Sequence, residues 1–300
     1  MKKSSNKIYY YGLNESEISK NIKYERVAAD IKYDVARSRE IIKSVRNMLL
    51  SSENEKYVTA YLQKIRITDN YGSPSNHIQE MLIDKISKTY NNIEEHINDD
   101  YNRIWLVDYK EKNNYGLVYK SDPLHRMYIN LKNSDAFIQD RRINTSCKLR
   151  CSVQPESIQP KLGDMPTIVH EASHAGADTI DSFYLSQESP LETKVAQLSA
   201  GDMSTDEIEG ILNTRATGIT FPLLERTREQ ATRLFNNNAD VRGEFLINNA
   251  DSLTRIILDL YTGDSKMSKR DTQSQKGINA EMLYLFAVQG LSEKTPPLRG

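Results

Sequence analysis

Five consecutive residues, His170-Glu171-Ala172-Ser173-His174, set the tightest condition on how this chain folds. Two imidazoles four positions apart stand one above the other only on an α-helix. There they can grip one metal ion, and Glu171 can reach a water on the ion's open side. Such an arrangement is the core of a zinc hydrolase: histidine ligands, an activated water and a carboxylate base. The neighbouring residues agree with a helix. Pro166 suits its first turn, where a missing N–H costs nothing. Asp164 stands just ahead as a cap or charge partner. Ile168, Val169 and Ala172 supply an apolar side to bury, and Gly176 is expected to turn the chain sharply by taking left-handed dihedrals.

A catalytic zinc normally has three protein ligands, so one more is required. The five histidines are His77, His96, His125, His170 and His174, and none follows His174, which excludes a downstream histidine. Downstream carboxylates remain: Asp178, Asp181, Glu188 and Glu192. Asp181 is favoured, because Tyr184 follows it by three residues in Thr179-Ile180-Asp181-Ser182-Phe183-Tyr184. A phenol there can donate a hydrogen bond to the oxyanion of a tetrahedral intermediate.

H-E-A-S-H followed by T-x-D-x-x-Y resembles the aspzincin metalloendopeptidases, the group of deuterolysin and the fungal peptidyl-Lys metalloendopeptidases. The resemblance implies His170 and His174 as zinc ligands, Glu171 as base, Asp181 as third ligand and Tyr184 near the oxyanion. Asp178 and Leu185 stand where the family has glycines, and the step from His174 to Asp181 is shorter than the family's. Asn248-Asn249-Ala250-Asp251 is similar to the family's N-A-D segment, which borders the cleft on a helix. Asn237-Asn238-Ala239-Asp240 is a comparable string, of a kind also found at helix starts and turns. The later string is preferred, because the helical repeat Leu253, Ile256, Ile257, Leu260 follows it. In lysine-specific members an acidic pair from this segment lines the pocket after the scissile bond. Asp251 matches the first of the pair and Thr254 replaces the second. A substrate-binding Asp251 with some preference for basic side chains is implied, without strict lysine specificity. The similarity spans roughly residues 25 to 262.

The rest of the chain reads as helices around a small β element. Residues 1–20 are a polar N-terminal tail or an export address. Residues 21–100 form an N-terminal helical region. It comprises a long amphipathic helix over 22–50 with Val27, Ile31, Val35, Ile42, Val45 and Leu49 on one side, a second over 57–65, and a third over 78–97. His77 and His96 take surface or packing roles. Trp105 anchors the core. Two strands, 115–119 and 127–131, form a hairpin across the turn at Asp122-Pro123. Residues 101–295 make a catalytic region with an insertion at 185–245, which serves as an exosite, a lid or outer packing. A polar loop over 262–277 and a last helix over 282–291 follow. The fold class is α+β and predominantly helical; the resemblance makes it zincin-like, with a small antiparallel sheet and the H-E-x-x-H helix at its site.

Composition narrows the partners. A 300-residue chain with 38% hydrophobic residues can bury a sizeable core. Its net charge of −1 supplies no global field for nucleic acid. No apolar run reaches bilayer length, so no membrane insertion is expected. The start, Met1-Lys2-Lys3-Ser4, has no apolar run behind it. The expected location is therefore the cytoplasm, or export without a cleaved signal peptide, as for a bacterial effector or toxin injected to cut a host protein. Cys147 and Cys151 are the only cysteines, too few for a disulfide framework, and are expected as free thiols. The expected function is that of a Zn²⁺-dependent metalloendopeptidase acting on protein or peptide substrates. The alternatives are a non-catalytic helical interaction module and a zinc amidohydrolase acting on a non-protein amide.

Overall fold

Where apolar residues recur at three- and four-residue steps, helices form with that side inward. A computed structural model describes residues 10–14, 25–68, 72, 74–107, 115–119, 122–131, 164–185, 190–222 and 226–271, with Tyr10, Tyr11, Arg26 and the last eight as backbone alone. Helix α1, Glu25–Leu50, buries Val27, Ile31, Val35, Ile42 and Val45. A 3-10 turn at Ser52–Asn54 leads into α2, Glu55–Lys64. Helix α3, Asn76–Asn98, opens at Ser75, whose hydroxyl accepts the Ile78 N–H at 3.3 Å. Its Ile78, Leu82, Ile86 and Ile93 are buried. All three follow the spacing of the sequence.

Four short strands complete the first half: β1 Tyr10–Gly12, β2 Ile104–Val107, β3 Gly116–Val118 and β4 Met127–Asn130. The sheet order is β1-β2-β4-β3. The hairpin β3–β4 is antiparallel, as expected, and so is β1–β2, but β2 and β4 run parallel. The sheet is therefore mixed rather than antiparallel. The chain leaves β2 for the far edge, and the hairpin then returns β4 alongside β2 in the same direction. Tyr10–Gly12 belongs to an edge strand, and Leu13 is fully buried, so residues 10–13 of the expected polar tail are part of the fold. Ile104, Leu106, Met127 and Ile129 alternate onto one wholly buried face. Trp105 points the other way, half-buried, its indole N–H donating to the Asn102 carbonyl at 3.0 Å, so it lies beside the core rather than in it.

Helix α4, Met165–Ala177, packs against α3, α1 and strands β3 and β4. Gly176 does not end it. A Cβ there would meet the Lys88 carbonyl oxygen at 2.6 Å and Asn92 Cβ at 2.7 Å, so this glycine admits the close crossing of α4 and α3. The left-handed residue that stops the helix is Asp178, at φ 51 and ψ 42. Partners from other helices satisfy both ends of α4. At the start, the Asp164 side chain makes no capping bond; instead its backbone N–H donates to Asp34 Oδ2 of α1 at 2.8 Å. At the end, the Lys85 ammonium of α3 donates to the Ala177 carbonyl.

Downstream come α5 Leu191–Ser199, α6 Thr205–Leu212, a 3-10 turn at Arg215–Thr217, α7 Arg228–Asn237, α8 Ala239–Asn248 and α9 Ala250–Asp271. The expected insertion carries core residues: Leu191, Leu198, Ile211 and Phe235 have no exposed surface. Asn238 caps α8 by accepting the Asp240 and Val241 N–H groups, which makes the earlier Asn-rich string a helix start. Residues through Leu258 form one compact unit. The second unit, from Asp259, is helical as far as Asp271, where a loop was expected. Cys147, Cys151, Glu188 and the expected helix over 282–291 lie outside the described residues. Among those described, no helix is long and apolar enough to cross a membrane.

His96 carries a stability consequence. It has no exposed surface, and neither ring nitrogen has a hydrogen-bond partner among the described residues. Burial, reinforced by the Arg103 cation, pulls its pKa down to about 4. The unfolded chain takes up a proton near pH 6.5 that the folded chain refuses, so the contribution of His96 is lost as pH falls below that value. Between pH 7.5 and pH 5 the loss is about 2 kcal/mol. Urea unfolding of wild type and His96→Leu at both pH values should show that much extra acid sensitivity in the wild type; equal sensitivity would mean that His96 protonates when folded.

Candidate metal centre

The helix and the loop after it bring three donors to one point. His170 and His174 project from α4, one turn apart, and Asp181 follows the left-handed turn at Asp178. The two Nε2 atoms lie 3.1 Å apart. Asp181 Oδ1 is 3.3 Å from His170 Nε2 and 3.2 Å from His174 Nε2. A tetrahedron with edges of this length has corners about 2.0 Å from its centre, the bond length of a first-row divalent ion to imidazole or carboxylate. The group can hold a metal ion.

Hydrogen bonds turn the lone pairs inward. His174 Nδ1 lies 2.9 Å from the Thr179 carbonyl, which can only accept, so the proton sits on Nδ1 and Nε2 faces the cluster bare. His170 Nδ1 lies 2.7 Å from Asp251 Oδ1, a carboxylate that fixes the same tautomer. Thr179 is fully buried, its hydroxyl 2.8 Å from that of Ser173. With no cation bound, burial opposes a charge on His170, yet Asp181 and Asp251 outweigh it and push its pKa up to about 10. Proton and cation then compete for one nitrogen. The two imidazoles hold Asp181 well below the usual carboxylate range, although burial works the other way.

Glu171 is almost completely buried, and its Oε2 has no hydrogen-bond partner among the described residues. Burial pushes its carboxyl up to about 7, with both imidazoles pulling against it. Strand β3, at the edge of the sheet, passes directly over this group. A Cβ on Gly116 would come within 2.7 Å of Glu171 Cγ and Oε1, so glycine is the residue that leaves the carboxylate its place.

Of the other candidates, Asp178 serves as the left-handed helix stop and faces Lys85, and Glu192 pairs with Lys64; neither joins the histidines. Tyr184 is 73% exposed and donates its phenol proton to Asp181 Oδ2 at 3.2 Å, so it braces the third donor in this arrangement. Asp251 is at the site, with both carboxylate oxygens engaged by the chain itself. One oxygen holds His170, and the other accepts the Leu185 N–H. Thr254 is buried, its hydroxyl unpartnered among the described residues. No carboxylate of this segment is left over for a basic substrate residue.

Sequence reasoning missed Asn249. The chain at Ile180 bridges to it in parallel, with the Ile180 N–H donating to the Asn248 carbonyl at 2.8 Å and the Ala250 N–H to the Ile180 carbonyl at 3.0 Å. Asn249 Oδ1 accepts the N–H groups of Ser182 and Phe183, at 2.9 and 3.1 Å. The signal was present in the Asn-Ala-Asp string, whose first residue supports the loop. Gly116 had a weaker signal, a glycine inside a strand.

Searches of protein-family models, curated proteins and solved structures find no match to this chain. Its site is therefore judged on its own geometry. Replacing Asp251 by Asn removes the charge behind His170 while keeping its shape. Affinity for a divalent ion, measured by chelator competition, should fall about 10- to 100-fold. An unchanged affinity would show that the His170–Asp251 bond does not tune the donor.

Proposed function

We propose that this chain is a zinc-dependent metalloendopeptidase of the aspzincin type, with His170, His174 and Asp181 as ligands and Glu171 as general base. The observation that supports it most is one juxtaposition: a buried carboxylate oxygen without a partner beside three donors spaced for one ion. Two imidazoles and a carboxylate suit zinc, whereas magnesium and calcium sites are built from oxygen. When bound, zinc supplies Lewis-acid polarisation of a carbonyl and brings the acidity of water towards neutrality.

The side chains do the rest. Glu171, as carboxylate, takes a proton from the attacking water, and then delivers it to the amine that leaves. Its position between the edge strand and the imidazoles limits where the scissile bond can lie. An extended peptide can add to β3 by main-chain hydrogen bonds, which would bring its carbonyl to the open side of the donor triangle. Tyr184, on the exposed side of Asp181, can exchange its bond to that carboxylate for one to the oxyanion. Glu171 acting first as base and then as acid on a positioned carbonyl amounts to amide hydrolysis. With Asp251 committed to His170 and Leu185, no lysine preference follows from that residue.

Glu171→Gln tests the reading. It should keep the ion, since Glu171 is not a ligand, and lose about 10²- to 10⁴-fold in kcat on a peptide mixture read by mass spectrometry. Asp181→Ala should hold the ion much more weakly, through the two imidazoles alone, and Asp178→Ala should hold it as the wild type does. A Glu171→Gln protein that cleaves at the wild-type rate would overturn the assignment of the base, and wild-type affinity in Asp181→Ala that of the ligand.

A further inference from the structure

We propose that Gly210 and Asn249 are positioning residues for the third ligand: between them they clamp the loop Ile180–Phe183 and set how well, and in what geometry, the site holds its ion. This rests on Asp181 being a ligand. Unlike the histidines, Asp181 stands on no helix or strand that would fix its register. Its oxygen must nevertheless lie within 3.3 Å of both imidazoles, so a displacement of about 1 Å opens the triangle.

On one side stands Asn249, with no exposed surface. Its carboxamide oxygen takes the two N–H groups that follow Asp181, while its Nδ2 has no partner among the described residues. A buried amide with only its oxygen engaged is placed there for those two bonds. On the other side stands Gly210 of α6. A Cβ on it would lie 2.8 Å from Ser182 Oγ and 2.7 Å from the Phe245 ring. That ring cannot simply yield, because it packs against Phe183 at 5.7 Å and Phe235 at 6.2 Å between centroids. Any side chain at 210 therefore presses on the residue next to Asp181 or on the ring that seats Phe183. The stretch expected as an exosite, a lid or outer packing thereby mounts the metal loop.

The test uses the full-length protein stripped of metal. Zn²⁺ affinity is measured by competition with a chromophoric chelator, and the visible spectrum of the Co²⁺ form reports the donor set. Gly210→Ala and Asn249→Ala are compared with Asp181→Ala, alone and combined with it. Circular dichroism and melting in chelator report the fold separately. Each single variant should lower Zn²⁺ affinity at least tenfold and move the Co²⁺ spectrum towards that of Asp181→Ala. In the Asp181→Ala background each should add little, because the ligand they position is already gone. Asn249→Asp keeps an oxygen for both N–H groups and should retain more affinity than Asn249→Ala. If Gly210→Ala does not fold, the Asn249 pair decides. Wild-type affinity and spectrum in the single variants, or losses that persist in full without Asp181, would overturn the clamp. A wild-type protein that binds neither ion would instead overturn the metal centre itself.

Discussion

A carboxylate on a loop can share one point with two helical imidazoles only if the loop is as firmly placed as the helix. The histidines have their register from the helical repeat. The loop obtains its own from the junction of α8 and α9, which lies beside it as one parallel bridge and two carboxamide bonds. Asp251 joins the two halves of the site, with one oxygen on His170 and the other on Leu185. Helix donor and loop donor thus share one support, and a movement of either reaches the other through it.

The helix that carries the histidines is held at both ends by charges of appropriate sign. A buried carboxylate, Asp34, accepts the Asp164 N–H at its start, and an ammonium, Lys85, donates to the Ala177 carbonyl at its end, as the helix dipole favours. Burial raises the pKa of Asp34 to about 6 and lowers that of Lys85, so neither charge is favoured by its surroundings alone. The Asp164 N–H works against burial at Asp34, and the Asp178 carboxylate does so at Lys85. With Gly176 admitting the Lys88 carbonyl, α4 is wedged between α1 and α3, and its histidines face the loop from a fixed platform.

What could be read from the sequence was local. The three N-terminal helices follow apolar spacing within a few residues, and the hairpin follows a polar turn between two β-rich runs. The donor set was also legible, because the histidines lie one turn apart and Asp181 stands just beyond. Non-local pairing was not. Nothing in Tyr10–Gly12 announces a partner at Ile104–Val107, nor does β2 announce that β4 will lie parallel to it. Gly176 illustrates a second limit, since a glycine can serve either positive φ or close approach, and only the neighbouring helix decides. Asp251 illustrates a third. An acid beside a metal site can face the substrate or a histidine, and the two roles have the same sequence.

The separation along the chain between the loop and its supports has a consequence during synthesis. All three donor residues have been made once Asp181 is added, but Asn249 follows the N–H groups it holds by 66 to 67 residues, and Asp251 follows Leu185 by 66 and His170 by 81. Until that stretch leaves the ribosome, the histidines have no ordered third partner and His170 lacks the carboxylate that orients its ring. The candidate metal centre is thus completed late: most of the polypeptide must be made before the residues that hold its loop and orient His170 are present.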